Sequence, residues 1–476
     1  MMTASTPLNQ IAFSVIDLRV TERWFREGMG FVPAGGSRLM MSSPLTQLVQ
    51  GLPGAASNCW WLVGLNPWFQ IEMFQFCRPM AKLMPDDARP CDIGYRRIGV
   101  WVADFDAALR RLAVLGTQPI GPTLGQMGDR RACVRNPDGV FVELLERDPL
   151  PHAQRAQRKG CTAAMRSITL STPDLARSVA TFQSIGGREP LSTELHAPEH
   201  EALWNLPGAH RKSAVLECGD ILVEVVQYLD PAGQPWPSGY RICDQGILNV
   251  AFGARTKRDH TAIYQRALAV GARPNHRPIH LPGAGVVYVN DALGFSIEIL
   301  WMSMRGDKQW GFVQMPIDKR PSPDSHQVEA SVEIEAPLEE VWATLNDPDR
   351  MDAWIGFESV RVQRDGFSSR NGRGSERLMR GTPGVVVEQV VAVDPKRCIR
   401  YRVIQGSPFI YHLGNIELGE TGRGHTRVAW SIRFRSKVPF LGGFWHLLLQ
   451  RLLHGMLRKG LKPYVEHTVL ASTQAR

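Results

Sequence analysis

The chain has 476 residues, 43% of them hydrophobic, with Lys+Arg 55 against Asp+Glu 46 for a formal net charge of +9. That length is enough for roughly three domains. The basic excess is spread without a like-charge block, which excludes a nucleic-acid arm and leaves a slightly basic surface or Arg-lined pockets for acidic ligands. The 8 cysteines are scattered without a CxxC pair, no apolar run approaches a membrane span, and MMTASTPLNQ lacks a charged-then-apolar leader. Together these predict reduced thiols in a cytoplasmic protein without stable membrane association.

In chain order, residues 1 to 7 form a short tail and NQIAFSVID reads as a strand. TERWFREGMGF follows as a helix whose exit is marked by Gly28. Residues 33 to 56 are rich in Gly, Ser and Pro and predict a loop over a cleft. In NCWWLVGLNPWFQIEMFQF, strand alternation puts Gln70, Glu72 and Phe74 on one face, so Glu72 shares its surface with aromatic residues such as Phe74 and the nearby Trp61. Either a packed sheet or an aromatic-walled pocket with one carboxylate follows. IGVWVADF is the next strand, and Asp104 to Leu115 has helical spacing before Gly116. RRACVRNPDGVFVELL gives two strands around an Asn-Pro-Asp-Gly turn.

Residues 150 to 163 are polar and basic and read as a linker. RSITLSTPDLARSVATF opens the next unit, with Thr172-Pro173-Asp174 as a helix start. RTKRDHTAIYQRALAVGA is a further helix, and HLPGAGVVYVNDALGFSIEILW supplies strands. Residues 303 to 325 lose periodicity and predict a domain boundary.

The strand and helix pattern repeats. Seven residues before Asp17, Asp104 and Asp174 stand Gln10, Arg97 and Ser167, each at the head of a strand, and GILNVAFGART places Asn249 in the same frame. Four closing strands carry a central acid: FQIEMFQF (Glu72), VFVELLE (Glu143), ILVEVVQY (Glu224) and FSIEILW (Glu298). LPGA recurs at Leu52 and Leu206, and Asp92 and Asp244 each precede a strand head by five residues. Self-similarity of this kind decides architecture. It predicts an α+β fold of four βαβββ modules in two pairs.

Over about residues 8 to 302 this pattern resembles two tandem vicinal oxygen chelate domains, the superfamily of glyoxalase I, extradiol dioxygenases and bleomycin-resistance proteins. The resemblance implies domains at 1–150 and 164–303, each closing around a cleft. In it, strand-head His or Gln and the closing Glu hold a divalent metal. Carried over by position, the first cleft presents Gln10, Glu72, Arg97 and Glu143, and the second Ser167, Glu224, Asn249 and Glu298. The first 151 residues contain no His, and Arg97 has no lone pair to offer a metal. No cofactor is therefore expected, with Mg²⁺, Mn²⁺ or Fe as the alternative and Gln10, Glu72 and Glu143 as its ligands. His196, His200, His210, His276 and His280 fall on no ligand position and read as loop histidines.

From His326 the pattern changes. VEASVEIEAP is an alternating strand, and Pro337 begins the helix LEEVWATLND, with Glu339 and Glu340 near its positive end. GVVVEQVVAVDPKRCIRYRVIQG and RVAWSIRFRSK read as long strands. A last helix over 443–469 carries Leu447, Leu448, Leu452, Met456, Leu457, Leu461 and Val465 as one stripe. Residues 326–470 resemble the START-type helix-grip fold of polyketide cyclases and lipid-transfer proteins (SRPBCC), APLEEVWATLNDPDRMDAW being the most recognisable piece. That resemblance implies an apolar ligand cavity, with Trp354, Tyr411, His412, Trp430 and Trp445 as lining or as ordinary core.

Two carboxylates and an Arg in an apolar cleft suit proton transfer beside a carbonyl. Glu72 or Glu143 would be the base, with Glu224 and Glu298 as counterparts in the other cleft and Arg97 steadying an enolate. Gln10, Trp61, Phe74, Ser167 and Asn249 would contact substrate. The expected function is thus a lyase, isomerase or cyclase acting on a hydrophobic aromatic or polycyclic ketone. The alternatives are sequestration of a hydrophobic small molecule and metal-dependent ring-cleaving dioxygenation. A homo-oligomer is left open.

Overall fold

The computed structural model describes residues 6–186, 188–319, 324–382, 384–422 and 424–474. They fall into two compact units, residues 1–84 with 88–321, and residues 322–476 with 85–87.

The first unit holds the four modules. Module one comprises β1 (Leu8–Ser14), α1 (Leu18–Arg23), β2 (Val32–Gly36), α2 (Pro44–Gln50), β3 (Ala56–Val63) and β4 (Gln70–Arg78). Module two has β5 (Gly94–Val102), α3 (Phe105–Val114), β6 (Arg131–Arg135) and β7 (Phe141–Leu145). Module three has β8 (Ala163–Ser171), α4 (Leu175–Gly186), β9 (His210–Cys218) and β10 (Ile221–Asp230). Module four has β11 (Gly246–Ala254), α5 (Lys257–Ala269), β12 (Arg273–Pro274), β13 (Ile279–Leu281), β14 (Ala284–Asn290) and β15 (Ser296–Met302).

Local chemistry sets these boundaries as the sequence predicts. Asp17, Asp104, Asp174 and Thr256 each accept a backbone N–H of the following turn, at 3.0, 2.8, 3.0 and 3.1 Å. Such caps satisfy amides that the helix start leaves without partners. The first helix does not end at Gly28. It continues through a π-helical turn, Trp24–Met29, and stops at Gly30, whose φ of 94° only glycine adopts readily.

The pairing of modules corrects the expected division at 1–150 and 164–303. β1 pairs antiparallel with β11, giving a sheet ordered β12-β14-β15-β11-β1-β4-β3-β2 with β13 on β14. β5 pairs antiparallel with β8, giving the sheet β6-β7-β5-β8-β10-β9. Module one therefore joins module four, and module two joins module three. Two equivalent clamps enforce this choice. Asp244, ahead of β11, accepts the Lys82 amide at 2.9 Å beyond β4, while Asp92, ahead of β5, accepts the Gln234 amide at 2.9 Å beyond β10. The 150–163 segment is no free tether either: Arg155 binds Asp148 at 2.8 Å and Arg158 donates to the Asn66 carbonyl at 2.6 Å.

In the second unit a seven-stranded antiparallel sheet runs β16-β22-β21-β20-β19-β18-β17. Its elements are β16 (His326–Ile334), α6 (Leu338–Leu345), α7 (Asp352–Ile355), β17 (Ser359–Arg364), β18 (Glu376–Gly381), β19 (Gly384–Asp394), β20 (Cys398–Gln405), β21 (Phe409–Glu420) and β22 (Thr426–Ser436). The terminal helix comprises α8 (Gly442–Gly455), a π turn at Met456–Leu461 and α9 (Lys462–Gln474). Its buried stripe is Leu453, Leu457, Leu461 and Val465, spaced by four residues, whereas Leu447 and Leu452 are 64% and 42% exposed. The apolar run is wider than the face that meets the sheet, so the predicted stripe was too broad by one side. Among the described residues no helix is long and apolar enough to cross a membrane.

Asp138, in the Asn-Pro-Asp-Gly turn of module two, ties the two sheets together. It accepts from the Ile16 amide (3.1 Å), the Thr21 hydroxyl (2.5 Å) and the Gln245 side chain (2.9 Å), and is 1% exposed. Asp138→Ala removes the acceptor that these three donors share, and urea denaturation is expected to show a loss of about 2–4 kcal/mol. A loss within about 0.5 kcal/mol, the range of surface substitutions, would contradict the role given to this turn.

Candidate functional site

The β1·β11 pairing brings Gln10 and the closing-strand acids of modules one and four to one cavity. β4 lies parallel to β1 with Glu72 opposite Ala12, and β15 lies parallel to β11 with Glu298 opposite Ala251. A carboxylate can only accept hydrogen bonds, and Gln10 turns its nitrogen toward both: Nε2 donates to Glu72 Oε2 at 2.5 Å and to Glu298 Oε2 at 3.1 Å. Gln10 Oε1 accepts from Gln70 Nε2 at 2.8 Å. The other oxygen of Glu72 is held by Trp61 Nε1 at 3.0 Å and the Cys59 thiol at 3.3 Å. The cavity above has a volume of about 1170 Å³ and walls that include Trp61, Phe74, Leu300, Trp301 and Phe312.

Burial in these walls pushes the Glu72 carboxyl up to about 7, against the pull of hydrogen bonds from Trp61 and Cys59. Burial and then the neighbouring charge of Glu72 push Glu298 well above the carboxylate range, opposed by hydrogen bonding with Tyr288 and Gln10. Two like charges sharing one amide in an apolar site cannot both ionise near neutrality. The pair retains a proton, which belongs to it jointly.

The other sheet ends differently. Arg97 donates to Glu224 at 2.8 Å, and His196 bridges the two acids, Nδ1 to Glu224 and Nε2 to Glu143, each at 2.8 Å. Arg131 adds a contact to Glu143 at 3.1 Å, Thr169 donates to Glu224 at 2.8 Å, and the Arg97 guanidinium lies 3.5 Å from the Trp204 ring centre. Arg97 is 1% exposed and Glu143, Glu224 and His196 are fully buried. Burial pushes Glu143 up, but the charge and hydrogen bond of His196, with Arg131 and Arg97, hold it at about 2. Glu224 is held well below the carboxylate range, against burial, by the charge and hydrogen bond of His196 with Arg97 and Arg211. Burial depresses His196, and the charges of Glu224 and Glu143 outweigh it to raise the imidazole above its ordinary value.

The expected first cleft of Gln10, Glu72, Arg97 and Glu143 therefore does not form, because Arg97 and Glu143 belong to the other sheet. The expected second cleft is divided in the same way: Ser167 and Glu224 stand with Arg97, while Asn249 and Glu298 stand with Gln10. The ligand set Gln10, Glu72 and Glu143 is likewise corrected, with Glu298 in the place of Glu143. Ser167 packs against Gly99, whose missing Cβ leaves room for its hydroxyl. Trp354 packs edge-on to Trp430 at 6.3 Å, and Tyr411 is 7% exposed, both within the second unit. There His412 is half-buried, and desolvation pulls its imidazole down to about 4.

Sequence reading missed two groups. His196 lies in an irregular segment ahead of β9, with no periodicity to mark it. Arg305, Lys308, Trp310 and Phe312 line the cavity from a stretch read as a domain boundary. The predicted loop at 33 to 56 does cover the cleft, in part as α2.

The four strand positions around the cavity offer Gln10, Glu72, Asn249 and Glu298, an oxygen-only set. Asn249 is fully buried, and neither amide atom meets hydrogen-bond geometry, although it lies against the Tyr288 hydroxyl. That set fits a hard cation such as Mg²⁺ or Mn²⁺, and lacks the imidazole that iron and zinc favour. Among the described residues no three His, Cys, Asp or Glu side chains are grouped as a metal site.

Residues 325–466 match the family model described as polyketide cyclase/dehydrase and lipid transport. No curated protein matches the chain. Among solved structures, a point mutant of glyoxalase I from Zea mays is 16% identical, covering 62% of this chain and 94% of that one, TM-score 0.41. A provisionally assigned dioxygenase from Bacillus subtilis is 12% identical over 66% and 94%, TM-score 0.45. A START superfamily protein from Mycobacterium smegmatis is 19% identical over 30% and 99%, TM-score 0.28.

The His196 cluster makes a direct prediction. His196→Ala leaves two buried carboxylates facing each other, and removing one member of such a network costs about 3–5 kcal/mol, measurable by denaturant unfolding. Glu143 and Glu224 have lowered native values, so the stability they add is present above the unfolded value of 4.5 and is lost as pH falls toward 2. In the His196→Ala protein that acid dependence flattens. An unchanged unfolding profile would refute the stabilising role of His196.

Proposed function

We propose that the first unit is an enzyme transferring protons at a carbon next to a carbonyl, within the cavity floored by Glu72 and Glu298. The observation that carries this is the pair of buried carboxyls, Glu72 and Glu298, held by one Gln10 amide in an apolar cavity that raises both above the carboxylate range. Glu72, oriented by Trp61 and Cys59, removes the proton. Glu298 donates a hydrogen bond, then a proton, to the carbonyl oxygen, so that charge on the enolate is met as it develops. The apolar walls exclude water and favour a hydrophobic, aromatic or multi-ring ketone. Isomerisation, epimerisation, dehydration and ring closure all start from that enolate. A divalent cation held by Gln10, Glu72, Asn249 and Glu298 would supply electrophilic polarisation of the same oxygen when bound. Arg97, Glu143 and Glu224 are committed to one another and take no part.

A second reading is sequestration without chemistry, favoured by the size of the cavity. The match of residues 325–466 to a lipid-transport family supports a hydrophobic ligand for the second unit. Ring-cleaving dioxygenation is disfavoured by the absence of imidazole from the four positions around the cavity.

Deuterium exchange at the α-carbon of hydrophobic aryl ketones, followed by NMR, separates the readings. Glu72→Gln is expected to slow exchange by about 10²–10⁴-fold while ligand affinity survives. The wild-type rate rises as pH passes through about 7, because the base must be ionised, and Glu72→Gln loses that limb. The raised value also predicts that wild-type stability falls between pH 4.5 and 7 as the unfolded carboxyl ionises first, a fall made shallower in Glu72→Gln, where buried Glu298 alone still ionises later than in the unfolded chain. Ligand binding without any exchange would leave sequestration as the function.

A further inference from the structure

The cavity floored by Glu72 and Glu298 has opposite charge at its two ends. Among the described residues lining it, those two are its only acids, and they are 8% and 7% exposed. Its only basic residues, Arg38, Arg305 and Lys308, are all exposed at the rim. They come from opposite sides, Arg38 after β2 of module one and the other two after β15 of module four. None has an ion-pair partner among the described residues. The one acid between Arg305 and Lys308, Asp307, is taken by Arg255 at 2.5 and 3.1 Å and cannot neutralise its neighbours. Between rim and floor the walls are mainly aromatic and aliphatic, with Thr46 and Gln50 as polar interruptions.

We propose that this cavity takes an amphipathic anion. The ligand has a hydrophobic body spanning the walls, a neutral carbonyl end at the floor and a carboxylate or phosphate at the rim. The orientation follows from charge. An anionic group at the floor would face the Glu72–Glu298 pair in an apolar setting, whereas at the rim it meets three cations in water. Only the placement of the carbonyl rests on the proton-transfer reading; the polarity of the ligand rests on the rim.

Three probes test this with the full chain: pyrenebutanoate, its methyl ester, and the phosphate monoester of pyrenebutanol, titrated by fluorescence. Exposed ion pairs contribute little singly but add across the rim, so the wild type should bind the anions about tenfold more tightly than the ester. That preference weakens in high salt. The Arg38→Glu/Arg305→Glu/Lys308→Glu variant, altered only at exposed positions, should bring the ratio to about one with ester affinity and thermal midpoint unchanged. The order of carboxylate and phosphate tells which anion the rim suits. Equal wild-type affinity for ester and anions, or an anion preference that survives charge reversal, overturns the proposal. Loss of α-proton exchange chemistry with the preference intact would sink the proton-transfer reading alone.

Discussion

The antiparallel contact between β1 and β11 is the constraint on which the rest of the first unit depends. It joins the first module to the last across more than 230 residues of chain, pairing Leu8 with Phe252 and Ser14 with Gly246. The entropy of closing so long a loop grows only slowly with its length. The pairing is therefore decided by what it buries rather than by proximity in sequence. It buries both strands along their whole length, and it aligns two acids with one glutamine. Had β1 met β5 instead, Glu72 would have faced Arg97 and become an ordinary ion pair.

The two sheets are a controlled comparison of the same design. Each ends in two buried closing-strand acids. In one, His196, Arg97 and Arg131 surround them with positive charge, and burial is more than offset, so both acids stay ionised. Such a cluster of paired charges holds structure together. In the other, the bridging group is a neutral amide, burial wins, and the pair keeps a proton. A carboxyl poised between its two forms is costly for stability and useful for proton transfer. The sequence difference behind this is small: Gln10 stands where the other sheet has Arg97, and an imidazole enters from a loop.

Much of this was legible beforehand, and the failures have identifiable causes. The modules, their Asp-capped helices and the acid of each closing strand follow from short-range periodicity and capping. The pairing does not, because Asp92 with Asp244 relates module two to four, and LPGA occurs in modules one, three and four alike. A chain with that symmetry satisfies the repeat equally well with modules paired one to two or one to four. Asp92 and Asp244 did carry the answer as the two clamps, but a lone Asp before a strand names no partner. His196 and the segment from Arg305 to Phe312 were opaque for another reason. His196 is positioned by the two acids it bridges, and Arg305 to Phe312 by the cavity they line, so neither follows a helix or strand period.

That last point bears on how the cavity works. A regular strand or helix fixes where the carboxyls stand, which a base needs, since its efficiency depends on geometry held to fractions of an ångström. The covering segments, 33 to 56 and 304 to 315, need no such precision. Their task is to exclude water from the floor while presenting charge at the rim, and irregular chain does both, with Trp310 and Phe312 turned inward and Lys308 outward. The raised values of Glu72 and Glu298 are thus produced jointly. The strands bring the carboxyls close and contribute Trp61, Phe74, Leu300 and Trp301 to the apolar surroundings, and the covering segments complete them with Trp310 and Phe312.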